Sequence, residues 1–170
     1  EWDGRSKLKE ILAAYVMPNH PAVEKEILSA AQKILRKRTG DGSLSGYQRK
    51  AAVRVRETVH AVYDAIAGLK IGYINPPASF ESTGQKIRLT DQMLDTRMGT
   101  CLDLSVLFAG ALEQSGLFPV IVLISGHAFI GVFLKETCFQ KTVQEPNVLL
   151  NRIKLDELCV FDPVNVCCDS

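Results

Sequence analysis

Residues 99–134 read GTCLDLSVLFAGALEQSGLFPVIVLISGHAFIGVFL, and the pattern changes period in the middle of the stretch. From Cys101 to Gln114 the side chains are apolar nearly all the way round a helical wheel, as expected of a helix surrounded by protein, and Ser115 and Gly116 end it. FPVIVLIS (118–125) is then a β-branched run bounded by Pro119 and Gly126, and HAFIGVFL (127–134) follows at once. Two such runs around a glycine predict an antiparallel hairpin turning near Ser125 and Gly126.

Upstream, the pattern is helical. KLKEILAAYVM (7–17) sets Leu8, Ile11, Leu12, Tyr15 and Val16 on one face before Pro18 stops it. NHPAVEKEILSAAQKIL (19–35) offers Asn19 or His20 as a cap, Pro21 for the first turn, and Glu24 and Glu26 near the positive end of the macrodipole. After the break RTGDGSLSG (38–46), the segment 47–69 places Ala52, Val55, Val59, Val62 and Ile66 at helical spacing, with Gly68 as a stop. NPPASFESTGQKIRLT (75–90) has no period and reads as an irregular connection, and DQMLDTRM (91–98) as a short helix leading into Gly99. Downstream, 135–157 reads as an excursion with one short helix, and LCVFDPVNV (158–166) adds a strand that Pro163 disturbs. Helices followed by an antiparallel sheet predict an α+β fold. With no internal repeat and no composition break, residues 1–170 are expected to form one domain, its helical part covering 1–75.

Composition narrows the function classes. At 46% hydrophobic and 23% charged residues the chain is too apolar for disorder, and a net charge of +1 gives no global reason for a polyanion partner. No apolar run reaches the roughly 18 residues of a membrane span, and EWDGRSKLKE at the start has no hydrophobic signal region, so a soluble, cytoplasmic chain without a membrane partner is expected. Beginning at Glu1 and ending at VCCDS, it reads as a piece of a larger multidomain protein. Five cysteines, Cys101, Cys138, Cys159, Cys167 and Cys168, make an odd, irregularly spaced set with no CxxC, so neither a complete disulfide framework nor a zinc site is expected.

One constellation can carry chemistry. Cys101 opens its helix directly behind Gly99 and Thr100, where unpaired N–H groups and the macrodipole favour an anion and so lower a thiol pKa. The thiolate is the nucleophile, and it needs an imidazole; His127 opens a strand after Gly126 and can supply one. Asp162, closing CVFD, can hold the far ring nitrogen. Taken singly, each residue has a plainer reading as core filler, structural histidine or turn aspartate. The ordered set, G-x-C into a helix, G-H-A-aromatic into a strand and aromatic-D-P out of another, favours the chemical one.

The stretch quoted above, followed by VFDPVNV, resembles the catalytic core of the transglutaminase-like superfamily, the papain-like cysteine enzymes whose Cys, His and Asp motifs come in this chain order, and in particular bacterial transglutaminase-like domains inside multidomain proteins, some with helicase-like regions. The match runs over about 84–166. It implies a papain-like core with the cysteine helix packed on an antiparallel sheet, the N-terminal helices being an addition. By position, Cys101 matches the nucleophile, His127 the general base and acid, and Asp162 the residue that orients the imidazole. Two departures stand out: Val164 replaces the threonine of the usual Asp-Pro-Thr, and no tryptophan precedes Cys101 within the matched core, where many members have an oxyanion donor. The Cys101 N–H can be one donor; Gln85 is the candidate for the other, with Gln92 as runner-up.

The resulting expectation is a thiol-dependent acyl-transfer enzyme without cofactor or metal, acting on a protein or peptide substrate. It is read as a cysteine protease or an amide hydrolase or deamidase, with amine capture, the transglutaminase outcome, unresolved. The competing expectation is an inert scaffold whose helical half binds protein or nucleic acid. Arg36, Lys37, Arg38, Arg49, Lys50, Arg54 and Arg56 form the basic concentration that such a module would use, although a solvated helical face is the better account of them, since interleaved aromatics and a nucleic-acid motif are both absent. Asp103 is expected to engage the N-terminal amides of its helix, and His20 and His60 to be structural.

Overall fold

The computed structural model describes residues 9–75 and 86–167. A 3-10 helix covers Lys9–Tyr15, and a π-helical segment, Val23–Leu28, runs into α1 (Ser29–Thr39), then α2 (Ala52–Ala67). Strand β1 (Gly72–Tyr73), α3 (Thr90–Thr96) and β2 (Met98–Gly99) precede α4 (Cys101–Gln114). Strands β3 (Pro119–Ile124) and β4 (His127–Phe133), helix α5 (Pro146–Lys154), β5 (Leu158–Phe161) and a 3-10 turn, Pro163–Val166, complete the order. The fold is α+β, as the sequence pattern predicts.

Helix α4 is the centre. All residues from Cys101 to Leu112 are buried, because the sheet covers one side of the helix while α2 and the π-helical segment cover another. That enclosure explains a sequence with no polar stripe. Each fully buried leucine or phenylalanine here, Leu104, Leu107, Phe108 and Leu112 among them, contributes about 1.5–3 kcal/mol to stability. One hydrophobic core joins the two halves, drawing on Ile27, Leu35, Val62, Ile66 and Phe108 together with Ile130, Val132, Phe133 and Leu158.

The sheet runs β3-β4-β5, antiparallel throughout. Ile124 pairs with His127 across a two-residue turn, Ser125 and Gly126, and Gly126 takes φ +73°, a conformation that costs glycine nothing. A second, two-stranded parallel pair, β1 with β2, registers Gly72 with Met98 and Tyr73 with Gly99. Nothing in the sequence pattern announces it, since two residues are too few to show an alternation.

Three local expectations need correction. The segment expected to be a helix over 7–17 is a 3-10 helix in its described part, with Leu12 buried but Ile11 exposed. Helix α2 begins at Ala52 and not at Tyr47, because the buried Tyr47 hydroxyl donates to the Phe133 carbonyl at 2.8 Å and accepts the Phe118 N–H at 3.0 Å, which pins its backbone outside the helix. Arg54 lies apart from the solvated face: at 4% exposure its guanidinium reaches the Thr39 hydroxyl and the Asp41 and Ser43 carbonyls and ties down the loop after α1. His20 does cap its helix, with Nδ1 accepting the Ala22 N–H at 3.2 Å.

Candidate active site

The start of α4 is held from two sides. Thr100 is the N-cap, its hydroxyl accepting the Asp103 N–H at 3.3 Å, and the Asp103 carboxylate reaches back to the Thr100 N–H at 2.9 Å, a capping box. The same carboxylate, fully buried, accepts the Arg88 N–H at 2.7 Å and the Arg88 guanidinium at 3.0 Å. Asp103 therefore does more than the sequence suggests: it fastens the chain before α3 to the turn that presents Cys101.

Asp162 and His127 come together as the sequence order implies. Register pairs Ile130 with Phe161, so Asp162 leaves β5 beside the beginning of β4, and His127 Nε2 lies 3.0 Å from Asp162 Oδ2. The other carboxylate oxygen caps the final 3-10 turn, accepting the Val164 N–H at 2.9 Å. Phe161 packs edge-on to Phe108 of α4 and Tyr63 of α2, with ring centroids 5.3 and 5.8 Å apart, which clamps the strand end carrying the aspartate. Phe129 stands edge-on to the imidazole at 4.6 Å and limits its rotation. With Nε2 engaged by Asp162, Nδ1 is the ring nitrogen left for a reacting proton.

Cys101 belongs to the same locality. Cys101 packs with Leu102, Tyr73 and Ala128, the residue after His127, and the Ala128 and Leu102 N–H groups and the Tyr73 hydroxyl act on the sulfur in favour of the thiolate while Asp162 acts against it. The thiol is 5% exposed. Burial pushes its pKa up and the Asp162 charge pushes the same way, and the three donors, which favour the thiolate, do not outweigh them. The expected lowering by the helix end is thus overturned in this state: the resting group is a thiol. Tyr73, which the sequence reading passed over, reaches the sulfur from β1, and burial raises its own pKa, so the phenol keeps its proton.

Other expectations fare differently. Gln85 lies outside the described residues. Gln92 is exposed on α3 and is not among the donors at the sulfur. Cys138 is exposed, whereas Cys159 is half-buried with its thiol pushed up by burial. Among the described residues no three His, Cys, Asp or Glu side chains gather as a metal site would need, and no helix is long and apolar enough to cross a membrane. Several of the basic side chains are engaged: Arg38 with Asp64, Arg49 with Asp41 and Arg56 with Asp156. A cleft of about 440 Å³ between α2 and β5 is lined by Arg38, Arg56 and His60, and no member of the Cys101, His127, Asp162 set lines it. Comparison of the chain with protein-family models, with curated proteins and with solved structures finds no match.

Proposed function

We propose that the protein is a thiol-dependent acyl-transfer enzyme of papain-like, transglutaminase-like architecture, acting on peptide or carboxamide bonds, with Cys101 as nucleophile, His127 as base and acid, and Asp162 as the group that fixes the imidazole. The observation that supports it best is the 3.0 Å contact of His127 Nε2 with Asp162, with the neighbouring Ala128 packed in one buried cluster with Cys101. Because the resting thiol is protonated, His127 acts as a general base: Nδ1 takes the Sγ proton as sulfur attacks the carbonyl carbon. The carbonyl electron pair moves to oxygen. On collapse the C–N bond breaks, the imidazolium returns its proton to the leaving amine, and water then resolves the thioester, which makes hydrolysis, by a protease or a deamidase, the simplest outcome.

A second reading, an inert scaffold that binds a partner, has one observation in its favour, the burial of Cys101. Incubation with p-nitrophenyl acetate, followed by peptide-mapped mass spectrometry, separates the two. The enzyme reading expects acetyl on Cys101 ahead of the exposed Cys138, and loss of that preference in His127→Ala. Acetylation of Cys101 no faster than Cys138 sinks the enzyme reading and leaves the scaffold.

A further inference from the structure

The sulfur has a donor that the matched motifs do not account for. Tyr73 is set by backbone geometry: Gly72 donates to the Arg97 carbonyl at 2.8 Å and Ile74 to the Gly99 carbonyl at 3.0 Å, which places Tyr73 opposite Gly99, two residues before Cys101. Its ring joins the small apolar cluster that contains Cys101, Ile87, Leu102 and Ala128, so it packs beside the residue that carries the sulfur. Packing alone needs no hydroxyl; phenylalanine fills the same space.

Resting on the acyl-transfer reading, we propose that Tyr73 is a further catalytic residue, the side-chain donor of the oxyanion hole. As the S–C bond forms, the carbonyl electron pair moves to an oxygen bonded to the same carbon as sulfur, so a donor packed beside Cys101 is placed to reach it. The phenol donates the hydrogen bond and keeps its proton, which burial holds above the ordinary phenol range. The first-turn N–H of Cys101, which has no acceptor within the helical ladder, stands beside it as the backbone donor.

Two reactions at one sulfur test this. Acylation by p-nitrophenyl acetate builds an oxyanion, whereas alkylation by iodoacetamide does not. In Tyr73→Phe, acylation of Cys101 is expected to fall about 10²–10³-fold, the worth of one oxyanion donor. Alkylation should change by no more than about tenfold, the worth of one hydrogen bond to the thiolate. The ratio of Cys101 to Cys138 alkylation reports in the same sample whether the site is still folded. A second variant, with 3-fluorotyrosine at position 73, keeps ring and donor and should acylate at the wild-type rate. Acylation that is unchanged in Tyr73→Phe, or that falls only as far as alkylation does, overturns the proposal and leaves Tyr73 as packing or as a tuner of the thiol. Failure of the wild-type protein to acylate at Cys101 overturns the parent reading as well, so the two failures are distinguishable.

Discussion

His127 Nε2 and Asp162 Oδ2 lie 3.0 Å apart across the β4–β5 pair, while the second oxygen of the same carboxylate caps the turn that follows. The two roles can be separated. Asp162→Asn can keep its one acceptor oxygen on the Val164 N–H, but it then turns an amide N–H towards Nε2, which must accept and so takes the wrong tautomer; acylation of Cys101 is expected to fall about 10²–10⁴-fold with the cap retained. Asp162→Ala frees the imidazole and should cost about 10²–10⁴-fold, with about 1 kcal/mol of stability for the lost cap. Single-turnover acylation and thermal melting on both variants check this. Rates that simply track melting temperature in the two variants contradict an orienting role.

Cys101 should titrate late. Burial is the leading cause of its raised pKa, so the thiolate, and hence iodoacetamide labelling, is expected to appear at higher pH than for a free thiol such as glutathione in the same sample. Asp162 contributes to the rise, so the Cys101 profile moves to lower pH in Asp162→Asn. Peptide-mapped alkylation between pH 6 and 10 reads both shifts. Labelling of Cys101 at lower pH than the free thiol means that the helix end prevails over burial and that a preformed thiolate–imidazolium pair exists.

Asp103 is the anchor of the site. Replacing it with alanine strands the Thr100 and Arg88 N–H groups and removes the Arg88 guanidinium's partner, at a cost of about 3 kcal/mol or more. Denaturant unfolding should show that loss together with slower acylation of Cys101, because the turn presenting the sulfur is no longer tied to the chain before α3. Asp103→Ala with wild-type stability refutes the anchoring role.

The sequence was most legible where a single local cause dominates. An all-apolar run enclosed on several sides became α4 with its ends at Cys101 and Gln114, and Gly126 turned the hairpin because only glycine adopts that φ without cost. Asp162 could be matched to His127 because antiparallel neighbours bring the two motif ends together. What stayed hidden depends on distant neighbours. Tyr73 sits in a two-residue strand whose partner lies 26 residues on, the direction of the Cys101 pKa depends on packing that no motif encodes, and Arg54 looks like any surface arginine until Thr39, Asp41 and Ser43 close round it. Arg54→Ala should accordingly lower the melting temperature while leaving binding to polyanions such as heparin unchanged; the opposite pattern would restore Arg54 to a binding face.

Tyr47 couples the same long-range packing to pH. Its hydroxyl bridges Phe118 and Phe133 at the two strands of the hairpin, and burial pushes its pKa up to about 12. Above pH 10 the unfolded chain releases this phenolic proton while the folded chain keeps it, so the native state binds more protons and stability falls as pH rises from 10 towards 12. Over that window the loss amounts to about 2 kcal/mol. Tyr47→Phe removes this share of the alkaline loss but leaves one backbone donor and one acceptor unmet, so it starts about 1–3 kcal/mol less stable at neutral pH. Urea unfolding of both proteins at pH 8 and pH 11 should therefore show a gap that narrows with pH. A gap that stays constant means that Tyr47 ionises alike in the folded and unfolded chains, and that its bridge does not hold the proton.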